Sequence, residues 1–295
     1  MPDRSAYARR MPGPDARTRG RDTEPRLAGP PASDVPVPAA VARFAVGAPL
    51  EAVWHNEAGG FTWRALDPDG RPTLYLKWSP ADGPDLEAEA QRLAWVAEQV
   101  PGVRVPDVVT HGSDGSGAWL VTRAIDADPA VADRWRAEPR TAARAIGAGL
   151  RRLHDAAPVA SCPFVWSAEQ RLAAARGRVA AGEGPSTWHP EHRSLDATRA
   201  LALLADVPEP DPVVCHGDAC APNTLIDAAG RWAGLVDLGR LGVADRWADL
   251  AVATWSLGWN FGTDVPGLEA ELLDAYGIAA DPRKSAYYRL LWDLS

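Results

Sequence analysis

The fold is decided by the stretch VVCHGDACAPNTLI, residues 213–226, and by VDLGRLGVADRWADLA, residues 236–251, which follows closely. Runs of Val, Leu and Ile in both stretches predict short buried strands. Between these runs stand three polar residues, Asp218, Asn223 and Asp237. Gly217 and Pro222 indicate that the first two lie in a loop. Polar side chains on a loop that buried strands hold in place are typical of a functional site.

These residue types are the ones that phosphoryl transfer requires. One carboxylate, Asp218, would accept the proton of the attacking hydroxyl, while Asn223 and Asp237 would hold Mg²⁺ beside the triphosphate. A lysine must also bind the phosphates, and Lys77 ends the alternating strand pattern TLYLK, residues 73–77. The sequence therefore predicts a kinase-type site with ATP and Mg²⁺ as cofactors and GTP as the alternative nucleotide.

A carboxylate on the next helix should hold Lys77 in place. The spacing of apolar residues predicts a helix over residues 84–100. Its expected buried stripe comprises Leu86, Ala90, Leu93, Ala97 and Val100. Glu89 lies alongside this stripe and Glu87 points further outward, so we predict that Glu89 is the partner of Lys77.

The remaining pattern indicates strands early in the chain and helices later. A strand is predicted at 117–125, a helix at 138–157, an irregular loop at 182–195, and a hairpin around DAAG, residues 227–230. Three closing helices are expected: one starting at Asp245, one ending at Gly277, and one with Asp281 as N-cap and Pro282 in the first turn. A strand-rich first third before a helix-rich remainder indicates an α+β fold with two lobes.

The order Lys, Glu, H-G-D-x-x-x-x-N and D-x-G resembles the protein-kinase-like fold in its bacterial small-molecule branch. The resemblance is closest to the aminoglycoside 3'-phosphotransferases, and VVCHGDACAPN, GLVDLGRLGVADRWADLA, LYLK, SCPF and YYRLLWDL carry it across residues 41–295. It implies a small β-rich N-terminal lobe at 39–124 that ends in a hinge, and a larger, mainly helical C-terminal lobe at 125–295.

The resemblance also implies a role for individual residues. They are the catalytic base Asp218, the magnesium ligands Asn223 and Asp237, the phosphate-binding pair Lys77 and Glu89, and two hinge groups that would receive adenine, the Thr122 carbonyl and the Ala124 amide. The loop EAGGFTW, residues 57–63, would cover the phosphates. Arg240 would lie near the phosphates or the acceptor, and His216 would orient the loop.

The acceptor region departs from the family pattern. Aminoglycosides are polyamines, and family members line the acceptor site with carboxylates, which are few here. Glu191 and Asp293 remain, but Trp259 stands where an acidic residue is expected. The presumed acceptor region also contains four tryptophans: Trp188, Trp255, Trp259 and Trp292. Core packing is the competing interpretation for each of them. Together they favour a pocket more aromatic and less acidic than usual, with Arg240, Glu191, Trp259 and Asp293 as candidate substrate residues.

The composition of the chain limits the classes of binding partner. A net charge of -8 argues against nucleic acid and anionic lipid and suits a cationic small molecule. No apolar run is long enough to span a membrane, and three cysteines form neither a disulfide framework nor a zinc pattern. We expect a cytoplasmic monomer or homodimer. Residues 1–38, rich in Arg, Pro, Gly and Asp, are predicted to be a disordered tail, with Met11 as an alternative start.

The expected function is ATP-dependent phosphorylation of a hydroxyl, the 3'-OH, of an aminoglycoside antibiotic, which confers resistance. The alternative is the same chemistry on another small hydroxylated compound, in metabolism or in natural-product self-protection. A catalytically inactive kinase fold that acts as a binding module is disfavoured, because Lys77, Asp218, Asn223 and Asp237 are all present.

Overall fold

A computed structural model describes Gly29, residue 31 and the ranges 35–56, 59–262 and 265–295 of the chain. Most of the predicted tail at 1–38, and two residues of the predicted phosphate-covering loop, lie outside the described residues. Gly29 is described and exchanges backbone hydrogen bonds of 3.0 and 2.8 Å with His55. Val35 and Val37 pack against the core of the first sheet. The described part of the tail therefore contacts the sheet, which its polar composition did not indicate.

An antiparallel five-stranded sheet forms the N-terminal part, with the strand order β1-β2-β3-β5-β4. Its strands are β1 (Leu50–His55), β2 (Phe61–Leu66), β3 (Pro72–Ser79), β4 (Val108–Asp114) and β5 (Gly117–Arg123). The predicted strands at 73–79 and 117–125 are thus confirmed. Leu76 and Val121 are fully buried in the sheet core, and Lys77 lies opposite Leu120 in the register. A short helix, α1 (Ala39–Ala42), precedes the sheet.

Helix α2 (Leu86–Gln99) confirms the predicted helix at 84–100. Its N-cap is Asp85, whose side chain accepts a hydrogen bond from the Ala88 amide at 2.9 Å. Val96 is buried, whereas Ala97 is exposed, so the prediction that Ala97 belongs to the buried stripe is wrong. At 3.6 residues per turn either position could follow Leu93, and the larger Val side chain is the one that packs.

The C-terminal part is mainly helical. Its helices are α3 (Asp133–Arg136), α4 (Pro139–Ala156), α5 (Ala168–Ala180), α6 (Ala197–Leu204), α7 (Trp247–Phe261), α8 (Leu268–Tyr276) and α9 (Pro282–Leu294). Its short strands are β6 (Asp128–Pro129), β7 (Pro212–Cys215), β8 (Thr224–Ile226), β9 (Trp232–Leu235) and β10 (Gly242–Asp245). Strands β6, β8 and β9 form one antiparallel sheet, and β7 pairs with β10. This arrangement confirms the α+β prediction.

Helix α4 is the centre of the C-terminal core. Ala142, Ile146, Leu150 and Leu153 recur at helical spacing along one face, and all four are essentially inaccessible. Gly147 lies where α4 meets α8, and a Cβ at this position would collide with the carbonyl oxygen of Leu272. The glycine therefore allows the two helices to approach closely.

The helix ends bear out two of the three predictions. Helix α8 ends at Gly277, whose φ of 86° is left-handed, and the Asp281 side chain caps α9 by accepting from the Lys284 amide at 2.9 Å. The third prediction placed the start of α7 at Asp245, which is wrong by two residues. Asp245 ends strand β10 instead, and its carboxylate accepts the Trp247 amide at 2.7 Å.

Among the described residues, none of the helices combines the length and the apolar character needed to cross a membrane.

Candidate active site

The loop between β7 and β8 carries the H-G-D sequence, and its shape depends on His216 and Gly217. His216 Nε2 donates to the Val236 carbonyl at 2.9 Å, and Nδ1 accepts the Asp218 amide at 3.2 Å. Gly217 has a φ of +83°, and a Cβ there would collide with the Arg240 carbonyl oxygen. His216 therefore links the two halves of the motif, which fits the structural role that the resemblance implied.

The buried carboxylate of Asp249, on helix α7, accepts hydrogen bonds from this loop. Its carboxylate accepts the His216 amide at 2.6 Å and the Gly217 amide at 2.9 Å, and His154 Nε2 donates to it at 3.0 Å. Asp249 is 0% exposed. Burial would raise its pKa, but the hydrogen bonds from His154 and the amides outweigh burial, so the pKa lies below the usual value. No pattern in the sequence indicated this contact between Asp249 and the loop.

Asp218 projects from the loop with a carboxylate oxygen that has no hydrogen-bond partner. Its Oδ1 is buried and unpaired among the residues that the structure describes. Burial, together with repulsion from Asp237, raises the pKa of Asp218, although Arg240 acts in the opposite direction. A buried acceptor without a donor is costly, so this atom is placed to meet a donor that the chain itself does not supply.

Asn223 and Asp237 lie beside Asp218. Asn223 Nδ2 donates to the Asp218 carbonyl at 2.9 Å, which leaves Asn223 Oδ1 free to act as a ligand. Asp237 has a φ of +64°, an uncommon conformation for a residue with a Cβ. Backbone strain of this kind concentrates at functional sites.

The predicted Lys77–Glu89 ion pair is present. Lys77 Nζ lies 2.7 and 3.0 Å from the two Glu89 oxygens and 3.1 Å from Asp237 Oδ1. Burial lowers the pKa of Lys77, but the two carboxylates outweigh burial and raise it, so this side chain stays charged. Glu87 instead contacts His111 on the surface, at 2.6 Å from its Nδ1. The prediction that Glu89, and not Glu87, is the partner of Lys77 is therefore confirmed.

The polar atoms of the site suit a magnesium ion. Asn223 Oδ1 and the Asp237 carboxylate are hard oxygen donors, and Mg²⁺ completes its coordination with water and phosphate. A second group of metal-type ligands, His154, Cys215 and Asp249, lies behind the loop. These side chains are already hydrogen-bonded, since Cys215 Sγ donates to the Asp245 carbonyl at 3.2 Å. We therefore assign this second group a structural role.

The two predicted hinge groups are engaged within the sheet. The Ala124 amide donates to the Thr73 carbonyl at 2.9 Å, and Thr122 is paired with Tyr75 on β3. The Ala124 amide can therefore receive adenine only if its bond to Thr73 opens. One residue further on, the Ile125 amide has no hydrogen-bond partner within the described part of the chain.

Two of the candidate acceptor residues, Arg240 and Asp293, contact neighbouring side chains or backbone. Arg240 is exposed, and its guanidinium lies 5.6 Å from the ring centroid of Trp166 and 5.3 Å from that of Trp292. The Asp293 carboxylate accepts the His189 amide at 3.1 Å and is hydrogen-bonded to His192 Nδ1. Asp293 therefore shapes the loop at 182–195.

Glu191 and the tryptophans differ in exposure. Glu191 is exposed on the same loop, and Trp259 is 44% exposed on α7. Trp188 is only 3% exposed and packs in the C-terminal core, so the competing interpretation, core packing, holds for this side chain. Its side chain covers apolar residues because the loop folds back onto the helices.

Two residues near the site were missed or set aside. Trp166 stacks with Arg240, and only its position after SCPF hinted at proximity. Cys220 gave no signal in the sequence, yet its thiol lies beside the Asp218 carboxylate. Burial and the adjacent Asp218 carboxylate raise the pKa of this thiol well above its usual value, so it stays protonated.

Comparison with known proteins identifies a matching family and similar enzymes. The family model of the "Phosphotransferase enzyme family" matches residues 55–288. A "Streptomycin 3''-kinase" of Streptomyces griseus is 41% identical over 87% of this chain and 96% of its own length. An "Aminoglycoside 3'-phosphotransferase" of Streptomyces fradiae is 36% identical over 81% of this chain and 93% of its own length.

Solved structures give the same relationship. The aminoglycoside phosphotransferase APH(3'')-Id of Streptomyces rimosus superposes with a TM-score of 0.73 at 33% identity, covering 86% of this chain and 96% of that one. A second structure of the same enzyme, in complex with ADP and streptomycin, has a TM-score of 0.69. The two-lobed, protein-kinase-like fold expected from the sequence is thereby confirmed. The chain belongs to the phosphotransferase enzyme family, and within it to the aminoglycoside phosphotransferases.

Proposed function

We propose that this protein transfers the γ-phosphoryl group of ATP to a hydroxyl of an aminoglycoside, with Asp218 as the base. The observation that carries the proposal is the buried, unpaired Oδ1 of Asp218, which lies on a loop that Asp249 fixes. A hydroxyl is a donor that would satisfy this oxygen. The names of the relatives, which are kinases of aminoglycosides, support the acceptor class.

Asp218 would orient the acceptor hydroxyl and accept its proton. The raised pKa makes its carboxylate a stronger base than an exposed aspartate, and above that pKa it is ionised and ready to act. The Arg240 charge acts against that rise and would lie near the negative charge of the phosphoryl group.

The nucleotide side of the site would be formed by Lys77, Glu89, Asn223 and Asp237. Glu89 would aim the Lys77 ammonium at the phosphates, and Lys77 would exchange its contact with Asp237 for a phosphate oxygen. Asn223 Oδ1 and Asp237 would hold Mg²⁺, which neutralises charge on the phosphates. For adenine, the Thr122 carbonyl and the Ala124 amide remain the proposed hinge contacts, and the unpaired Ile125 amide is an additional donor.

The first candidate acceptor is streptomycin, at its 3''-hydroxyl. The relative named as its kinase is more similar, at 41% identity, than the 3'-phosphotransferases of Streptomyces at 36% and 37%. The 3'-hydroxyl of other aminoglycosides, predicted from the sequence, is the second candidate. In either case the new phosphate adds roughly -1.5 to -2 charges to a polycation, which opposes its binding to RNA and would give resistance.

The test is a measurement of ADP release with Mg²⁺-ATP and a panel of aminoglycosides, followed by phosphorus NMR of the product to locate the phosphate. We expect turnover with streptomycin and a phosphate on its 3''-oxygen. Turnover only with other alcohols would favour the alternative acceptor class. Nucleotide binding without transfer to any acceptor would favour an inactive binding module.

A further inference from the structure

Three aromatic side chains form a continuous surface on the C-terminal part, which we call the aromatic wall: Trp255, Trp259 and His189. Trp255 and Trp259 are four residues apart on α7 and so lie on one face of the helix. Their ring centroids are 5.0 Å apart. His189, from the loop at 182–195, lies 4.3 Å from the Trp255 ring and 5.8 Å from the Trp259 ring. These separations are typical of attractive aromatic pairs.

The two indoles of the wall differ in exposure. Trp255 is 6% exposed and anchors the wall, whereas Trp259 is 44% exposed. A single exposed apolar side chain is common on protein surfaces. Trp259, however, rests on two other ordered rings, and large apolar surface on an ordered platform is typical of a ligand contact.

Helix α7 fixes the wall relative to the catalytic loop. Ser256, the residue after Trp255, accepts the Ala221 amide with its Oγ at 3.0 Å, and Ala221 lies three residues after Asp218. Asp249 on the same helix accepts the Gly217 amide. The two indoles of the wall therefore lie on the same helix that holds the loop of Asp218.

A carboxylate lies at the base of the wall. Asp293 accepts the His189 amide at 3.1 Å and is hydrogen-bonded to His192, and it forms no ion pair with a lysine or arginine in the described ranges. One guanidinium already stacks nearby, because Arg289 Cζ lies 5.9 Å from the Trp255 ring centroid. Arg289 is itself paired with Glu269 at 3.1 Å.

Two N–H donors, from Trp259 and from Glu191, point at the ring of His189. Trp259 Nε1 donates to His189 Nε2 at 3.2 Å, and the Glu191 amide donates to His189 Nδ1 at 3.3 Å. A neutral imidazole can accept at one nitrogen only. One of the two N–H groups therefore lacks a good acceptor. Burial lowers the pKa of His189, so the ring carries no charge that would repel a cation.

We propose that the aromatic wall, with Asp293 at its base, is a subsite for a planar guanidinium group on the acceptor. This inference rests on the function proposed above. A guanidinium stacks flat on an indole and is weakly hydrated, so ring faces and one carboxylate can hold it. An ammonium is strongly hydrated and needs several acceptors, which this wall does not provide.

The test is calorimetric titration of the full chain without nucleotide. The probes are streptomycin, which carries two guanidinium groups, and kanamycin, which carries only amines. Trp259→Leu should weaken streptomycin binding by about 5- to 30-fold, the range expected for a desolvated cation–π contact, and kanamycin binding by less than about twofold. Trp259→Phe should retain part of the affinity. Trp54→Leu, which removes an exposed Trp from β1, is the matched control and should change neither value.

Three results would overturn the subsite: unchanged streptomycin affinity in Trp259→Leu, an equal loss for both ligands, or no binding of streptomycin to the wild type. None of them depends on turnover. If instead the wild type binds streptomycin but releases no ADP with any aminoglycoside, the proposed function fails while the subsite stands. Unchanged circular dichroism of the variants confirms that they are folded.

Discussion

Asp218 places a carboxylate where burial and a second carboxylate both oppose its ionisation. Its Oδ1 has no donor in the described part of the chain. Burial raises the pKa of Asp218 most, and the charge of Asp237 is the next largest cause. Such a group costs folding free energy, and the proposed role of Asp218 as a base would account for it. Catalytic power and stability should therefore change in opposite directions at this position.

We predict that Asp218→Asn raises the thermal stability at neutral pH. Because the folded-state pKa lies above the usual 3.8, folding binds a proton, and stability falls as pH rises from 3.8 through the folded pKa. The Asn variant lacks this penalty, so its Tm at pH 7 should be higher by about 2 °C or more. Differential scanning fluorimetry between pH 3.5 and pH 8 measures the difference, which should disappear at the acidic end. An Asn variant less stable than wild type at pH 7 would refute this account.

The residues of the site were predictable to different degrees. Asp218, Asn223 and Asp237 were found because their oxygen chemistry is needed at that spacing and no packing argument explains them. The hydrogen bonds of the hinge atoms were harder to predict, because backbone hydrogen bonds depend on strand register, which side-chain identity does not reveal. The contact of Cys220 with Asp218 depends on the loop's turn geometry and had no sequence signal.

Helix α7 is the element that gives the catalytic loop its shape. It supplies Asp249 to the His216 and Gly217 amides, Ser256 to the Ala221 amide, and the two indoles of the aromatic wall. Its residues from Trp247 to Leu257 are buried. A loop held at both ends by one rigid buried helix can keep a carboxylate in the orientation that catalysis needs.

We predict that Asp249→Ala both destabilises the protein and disables the loop. The change leaves two buried amides and the His154 ring without their acceptor, so unfolding should become easier by about 3–5 kcal/mol. Urea denaturation measures this value. Asp155→Ala, which removes a surface carboxylate paired with Arg151, is the control and should change stability by less than about 0.5 kcal/mol. Equal effects of the two variants would show that the loop does not depend on Asp249.

The helices could be predicted from the sequence more readily than the contacts between them. The spacing of apolar residues predicted α2 and α4, and cap residues located the end of α8 and the start of α9. The start of α7 was misplaced because Asp245 has the side chain of an N-cap but lies in strand β10, where it accepts the Trp247 amide. Cap chemistry alone cannot distinguish these two positions, since both use the same kind of hydrogen bond.

The whole molecule joins its two parts through the charges of the nucleotide site. Lys77 on β3 contacts Glu89 on α2 and Asp237 after β9, across 160 residues of sequence in the second case. Arg92 on α2 adds a hydrogen bond of 2.9 Å to the Leu241 carbonyl. The residues that would bind phosphates thus also connect the N-terminal sheet and helix α2 to the C-terminal part.

The paired variants Glu89→Gln and Glu87→Gln test this connection. We predict that Glu89→Gln lowers kcat/KM for ATP by about 10- to 100-fold, because a charged hydrogen bond that aims Lys77 is lost. Glu87→Gln affects only the surface contact with His111 and should change kcat/KM by less than about twofold. Steady-state kinetics with ATP varied and the acceptor saturating gives both values. Similar losses in the two variants would contradict the assigned pairing.

The overall fold was predictable because the spaced Lys, Glu, H-G-D and D-x-G elements occur in one order and the element types agree with it. The domain boundaries at 38 and 124 remain predictions. The contacts of Val35 and Val37 with the first sheet were not foreseen, because two isolated valines in a Pro-rich segment give no periodic signal. The exposure of the tryptophans could not be predicted either, because the sequence does not show that Trp188 packs into the core while Trp259 is exposed on α7.

Single-turnover phosphoryl transfer by Asp218→Asn, with nucleotide affinity measured on the same sample, tests most directly whether Asp218 is the base. We predict that the transfer rate falls by about 10²-fold or more, because the acceptor hydroxyl loses its base. The Kd for Mg²⁺-ATP should stay within about threefold of wild type, because Lys77, Asn223 and Asp237 are intact. A transfer rate close to that of wild type, with nucleotide bound equally well, would contradict the assignment of Asp218 as the base.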